Sequence, residues 1–153
     1  QIEDQINNLQ KLRQQAYGTS GGTGVLRPVA CPVEYLGGAP GKAAAAACGK
    51  IGSPYVWAAD GPSTFDCSGL TMYAWGVAGV SLPHYTLWQY QQTRHVSSAD
   101  LRVGDLVFFY GDRHHVGLYV GAGWVVHAPH PGDFVRMAKI GNMGPVNGYG
   151  RPG

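Results

Sequence analysis

The hydrophobic pattern of this chain changes period partway along, and that change constrains the fold more than any other feature. Up to about residue 93 the apolar residues recur at helical spacing, whereas beyond residue 100 they come in short runs bounded by glycine. Residues 42–51, rich in alanine, predict a helix by propensity, with Pro40 and Gly41 before it and Gly52 as a stop. From Cys67 onward Leu70, Ala74 and Val77 share one helical face, and Gly79 ends the run. A third helix is expected over Tyr85–Thr93. In the second half, residues 105–110 lie between Gly104 and Gly111 and read as a buried strand. Val116, Leu118 and Val120 then alternate with His115, Gly117 and Tyr119. Residues 121–123 form a turn, residues 124–128 a return strand, and residues 133–138 one strand more. Helices first and an antiparallel meander after give an α+β fold, with the helices packed on a central antiparallel sheet.

Residues 1–40 have a different character. Ile2, Ile6, Leu9, Leu12 and Ala16 form a helical stripe in a polar segment, which suits either an amphipathic helix packed on the domain or the tail of a longer coiled coil. Residues 17–40 are rich in Gly and Pro and read as a linker or arm. The domain boundary is expected near Gly41, with residues 41–153 as the functional domain. Gln1 is followed by no charged-then-apolar leader, so no signal peptide is expected in this sequence and Gln1 reads as a mature or trimmed end.

A hydrophobic content of 44% with four Trp and nine Tyr excludes a chain disordered by composition. A net charge of +2 without a Lys/Arg block does not suggest nucleic-acid binding. No apolar run reaches the roughly 18 residues of a membrane span.

The segment Thr64–Leu70 sets Cys67 in the first turn of a helix, where unpaired backbone N–H groups and the helix dipole favour an anion. Both effects are expected to lower the thiol pKa and to serve an oxyanion on a substrate carbonyl. Gly69 is expected to keep the space beside the thiol open. The alternative is a buried structural cysteine. A nucleophilic thiol needs a base, and the base needs a group that orients it. His115 and His127 each stand six positions from Gly121, so a hairpin closed at that turn sets them on neighbouring strands. An even register puts both on one face, with His115 as base and His127 holding its ring, and with Gly117 allowing close approach. An odd register separates them. A metal site of His114, His115, His127 and His130 is the weaker alternative, because no carboxylate or cysteine stands at a helpful spacing; no cofactor is expected. His114 reads as an exposed turn residue, His84 and His95 as surface or cleft-edge residues, and His130 as loop.

Six ordered blocks resemble the NlpC-type cell-wall cysteine peptidases, with the actinobacterial Rip-type endopeptidases most similar. They are Ser53-Pro-Tyr-Val-Trp57, Phe65-Asp-Cys-Ser-Gly-Leu70, Ser81-Leu-Pro83, residues 101–109, residues 115–120 and Val126-His-Ala128. The resemblance covers about residues 42–150. It implies a papain-like α+β fold and cleavage between D-glutamate and meso-diaminopimelate in peptidoglycan stem peptides. By position it implies Cys67 as nucleophile, His115 as base and His127 as third polar residue. Tyr55 matches a cleft tyrosine that positions substrate or oxyanion, with a core aromatic as the alternative, and Asp66 and Ser68 match positions contacting the stem peptide. The usual Gly-Gly after the tryptophan is Ala58-Ala59 here, a departure expected to narrow or stiffen the adjoining loop. The resemblance further implies export to the cell wall, an oxidising location in which Cys31 and Cys48 pair, and other cell-wall hydrolases as possible partners. Three functions remain open on the residues: hydrolysis, peptidoglycan binding without cleavage, and acyl transfer to another acceptor. The arm of residues 1–40 either blocks the cleft or is a plain linker.

Overall fold

The computed structural model describes residues 25–153; the helical stripe expected over residues 1–16 lies outside them. Three helices precede the sheet proper: α1 (Gly38–Cys48), α2 (Cys67–Val77) and α3 (Thr86–Gln92). Helix α1 begins at Gly38 rather than Lys42, because Pro40 falls in its first turn, where a missing N–H removes no intrahelical bond. Its buried face is Ala43, Ala44, Ala47 and Cys48, small side chains that let α1 lie close to α2.

The strands are β1 (Arg94–Val96), β2 (Leu106–Phe109), β3 (His115–Gly121), β4 (Trp124–His127), β5 (Arg136–Lys139) and β6 (Val146–Arg151). They form one antiparallel sheet in the order β1-β6-β2-β3-β4-β5. The helices cover one face, where Leu106, Phe108, Val116, Leu118, Val120 and Val126 meet Phe65, Leu70, Ala74 and Trp75. The Trp75 indole N–H donates to Gly104 O at 3.0 Å, which satisfies the polar atom of the largest fully buried ring. The other face carries a smaller cluster of Val107, Phe109, Val125 and Met143. Alternation along β3 therefore sends Val116, Leu118 and Val120 to the helices, as their spacing predicts, and His115 to the opposite face.

Two strands were not legible in the pattern. β1 is short and exposed, and β6, reading Val-Asn-Gly-Tyr-Gly-Arg, lacks apolar alternation although it pairs with both β1 and β2. Gly150 is required in β6, since a Cβ there would collide with Thr93 Oγ1. β5 starts at Arg136 rather than Asp133, because the Asp133 carboxylate accepts from the Phe134 N–H at 2.8 Å and makes a turn of the residues before it.

The described part of the arm packs on the sheet. Leu26 O accepts from Met137 N at 2.9 Å, Val33 N donates to Val120 O at 2.8 Å, and Glu34 Oε2 accepts from Ala122 N at 2.9 Å. A disulfide joins Cys31 to Cys48, tying this segment to the end of α1. The boundary expected near Gly41 thus falls inside α1.

Candidate active site

Asp66 begins the site. It is the N-cap of α2, and its Oδ1 accepts from Gly69 N at 2.7 Å, the bond for which Asp is favoured at this position. Oδ2 accepts from Ala58 N at 3.0 Å, and Ala59 O accepts from Asp66 N at 2.8 Å. The carboxylate therefore ties the loop of residues 58–65 to the helix start. Gly69 serves that contact: a Cβ there would collide with Ala59 O, so the glycine admits the loop backbone rather than clearing space beside the thiol. Ala58 has φ +65°, in the left-handed region where a Cβ is strained and where glycine fits freely.

Cys67 is the first residue of α2 and is half-buried; among the described cysteines it alone is outside a disulfide. Its Sγ lies 3.8 Å from His114 O, to which the thiol donates, and the Val116 N–H also points at it. The sulfur thus faces the backbone on both sides of His115. Of the first-turn amides, Gly69 N–H is consumed by the cap, while those of Cys67 and Ser68 turn to the sulfur. These two remain as donors for a developing oxyanion.

The thiol pKa differs from the sequence expectation. Burial and the neighbouring Asp66 carboxylate push it up to about 12, outweighing the Val116, Ser68 and Cys67 amides, which favour the thiolate. A helix N-terminus alone would lower it; this one carries its own anion next to the sulfur.

His115 and His127 meet as the hairpin argument requires. Leu118 pairs with Val126 and Tyr119 with Val125, an even register that sets Gly117 opposite His127 and places His115 on the diagonal. A Cβ on Gly117 would collide with Val125 Cγ1 and crowd His127 Cβ, so the glycine admits the second ring. His115 Nε2 lies 2.9 Å from His127 Nδ1, both rings being 8% exposed. Burial holds His115 down to about 3, with His114 and His130 adding to the shift, and burial with His115, Arg136 and His130 holds His127 well below the ordinary histidine range. Both rings are neutral at neutral pH. A His115 that takes a proton on Nδ1 carries its own proton on Nε2 and donates it to His127 Nδ1.

The remaining candidates separate. Ser68 is buried and its hydroxyl donates to Asp66 Oδ1 at 3.5 Å. Tyr55 is 6% exposed in the helix-side core, beside the Cys67 segment through its bridge to Phe65. His114 stacks on Tyr110 and bonds Asp112, and His130 turns to Pro131 O and Asp133, so these two rings and the His115–His127 pair do not share one centre. His95 stacks on Tyr90 at the surface. His84, expected at the surface or the cleft edge, is part-buried, with its Nε2 2.8 Å from Asp66 Oδ1. The signal was its place directly after the Ser81-Leu-Pro83 block, ahead of α3. Gln89 of α3 completes the junction, its amide donating to Ser68 O at 2.9 Å and accepting from Thr71 Oγ1 at 2.7 Å.

Three hydrogen bonds fix the turn that presents His114 O and His115. Asn147 Nδ2 donates to Tyr110 O at 3.0 Å and Gly111 O at 3.1 Å, while Arg113 Nε donates to Asn147 O at 2.7 Å. The polar residue that disguised β6 in the sequence is the one that holds this turn.

Residues 52–146 match the NlpC/P60 family. A probable endopeptidase of Mycobacterium bovis is 40% identical over 101 residues, covering 66% of this chain and 26% of that protein. The chain thus spans about a quarter of that relative's length. Among solved structures, a mutated form of the resuscitation-promoting-factor-interacting protein RipA is 32% identical with a TM-score of 0.67, covering 74% of this chain and 62% of that one. The NlpC/p60 domain of the peptidoglycan hydrolase SagA is also 32% identical, with a TM-score of 0.66, covering 72% of this chain and 97% of that one.

Proposed function

We propose, from the premise that the chain belongs to the NlpC/P60 family, that it is a cysteine endopeptidase of peptidoglycan stem peptides acting at the D-glutamyl–meso-diaminopimelate bond. The observation that carries the reading is the joint placement of Cys67 at a helix start and of His115, paired with His127 of the neighbouring strand, on the chain segment whose backbone the sulfur touches. The names of the similar proteins, probable endopeptidase and peptidoglycan hydrolase, point the same way.

In this reading Cys67 Sγ passes its proton to His115 Nδ1 as it attacks the carbonyl carbon. The C–N bond breaks, the amine leaves with the proton from His115, and the acyl group stays on sulfur. Water then enters, giving a proton to His115 as its oxygen bonds the acyl carbon; the C–S bond breaks, the sulfur takes the proton back from His115, and the acid product leaves as its carboxylate. The thiol and imidazole are both neutral at rest, so the proton transfer belongs to the attack rather than preceding it. His127 accepts from Nε2–H and supports the imidazolium while it lasts. The Cys67 and Ser68 amides receive the oxyanion. Tyr55, Asp66 and Ser68 are assigned to the acyl portion of the substrate, since Asp66 and Ser68 flank Cys67 at the start of α2 and Tyr55 bridges to Phe65 just before them. The setting for this activity is the cell wall outside the cell, with stem peptides as substrate and other wall hydrolases as possible partners.

Digestion of a defined stem peptide followed by mass spectrometry tests the bond. A new amino terminus on diaminopimelate is expected; a cut elsewhere changes the assignment, and new amide or ester products in place of hydrolysis indicate acyl transfer.

A further inference from the structure

Helix α3 is clamped by one face and bare on another. Gln89 is fully buried against the first turn of α2, whereas Tyr85 is 51% and Trp88 58% exposed. The two exposed rings pack edge to face, centroids 5.4 Å apart, one helical turn from each other. Two large aromatics held together at the surface contribute little to the core, and an exposed aromatic patch of this kind marks a contact surface.

Position decides what it contacts. Tyr85 follows His84, whose ring is bound to Asp66, and Asp66 adjoins Cys67. The platform therefore follows directly along the chain from the residue bonded to the cap of the Cys67 helix. In the reaction proposed above the leaving amine is protonated by His115, so the leaving part of the substrate lies over the histidines. The acyl part runs the other way, past Asp66 and His84 toward α3. The amino end of a stem peptide belongs to the acyl part, and in intact peptidoglycan that end is joined through a lactyl ether to an N-acetylated amino sugar. Sugar rings present C–H faces with partial positive charge, which suit the negative face of an aromatic ring.

We propose that Tyr85 and Trp88 form a stacking platform for this amino-sugar ring, so that the site favours stem peptides still attached to glycan. The inference rests on the peptidase reading for the direction of the substrate. The peptide chain occupies the cleft, the sugar lies against the two rings, and the gain appears only for sugar-linked substrates.

The test compares one stem peptide in two forms, free and joined to its disaccharide, for the wild type, Trp88→Ala and Trp88→Phe. The ratio of kcat/KM on the linked form to that on the free form is expected to fall about fivefold in Trp88→Ala and to recover largely in Trp88→Phe. An unchanged ratio overturns the platform. Should the wild type cut neither form, the peptidase reading fails separately, and saturation-transfer NMR on the uncut linked peptide decides the platform. Transfer to the sugar-ring protons that is lost in Trp88→Ala upholds it, and its absence in the wild type overturns it. Melting midpoints of both variants are taken alongside, since loss of sugar preference in Trp88→Ala alone, at an unchanged midpoint, excludes a general effect on stability; where Trp88→Ala folds poorly, Trp88→Gln takes its place with the same expected loss.

Discussion

His115 Nε2 lies 2.9 Å from His127 Nδ1 across the diagonal of the β3–β4 pair. The contact uses one nitrogen of each ring and leaves His115 Nδ1 as the nitrogen that can serve the thiol. In the proposed mechanism His127 accepts this bond, so what the reaction requires of it is a lone pair at that point in space and not an imidazole as such.

His127→Ala is therefore expected to lower kcat/KM by about 100-fold, within the range by which positioned acid–base groups act. His127→Gln, whose amide oxygen can accept from Nε2–H, should recover much of that loss. Steady-state kinetics on a stem peptide checks both variants, and an equal loss in the two would make the imidazole itself essential.

The second expectation concerns Asp66, whose carboxylate raises the Cys67 thiol pKa. Asp66→Asn keeps an acceptor for the Gly69 amide and removes the charge. The thiolate is then less disfavoured, so the pH profile of iodoacetamide alkylation should shift to lower pH, with faster labelling below the wild-type pKa of about 12. Catalysis should not rise in step, because Asp66 is also assigned to substrate contact. An unshifted alkylation profile would show that burial alone sets the thiol.

A third follows from His115, held down to about 3 against an ordinary 6.5. The unfolded chain binds a proton at this residue through the window from about 6.5 to about 3 while the folded chain does not, so folding stability falls as pH is lowered through it. His115→Phe removes this contribution. Its melting temperature should fall less steeply than that of the wild type between pH 6.5 and 3, as read by calorimetry; parallel curves would contradict the buried neutral ring.

The fourth tests the loop beside the thiol. Ala58 sits at φ +65°, where glycine is unstrained. Ala58→Gly should stabilise the fold by about 1 kcal/mol in denaturant titration, the cost of a Cβ in the left-handed region. A loss of stability would mean that the loop is tightened by the alanine rather than strained by it.

Much of this architecture could be read from the residues, for stated physical reasons. Alternation along β3 and the turn at residues 121–123 carry enough information to place His115 and His127 on one face, because the side-chain period of a strand leaves only two outcomes. The helix at Cys67 is legible from the shared face of Leu70, Ala74 and Val77, while Asp66 as its cap emerges only in the structure. β6 was not, since its Asn and glycines serve close packing and the Arg113 turn instead of an apolar face. The pairing of His84 with Asp66 depends on how α3 docks, and docking through Gln89 leaves no periodic trace in the sequence. The elevated Cys67 thiol pKa was hidden for the same reason. The first turn of α2 announces a positive dipole, while the burial that overrides it is a property of the packed molecule.

The central claim is that Cys67 is the nucleophile, and the most direct measurement is the turnover of a defined stem peptide by the wild type and by Cys67→Ala, with melting temperatures taken alongside. The expected result is cleavage by the wild type and none by the variant at an unchanged melting temperature. Cleavage by Cys67→Ala at a comparable rate would contradict the account.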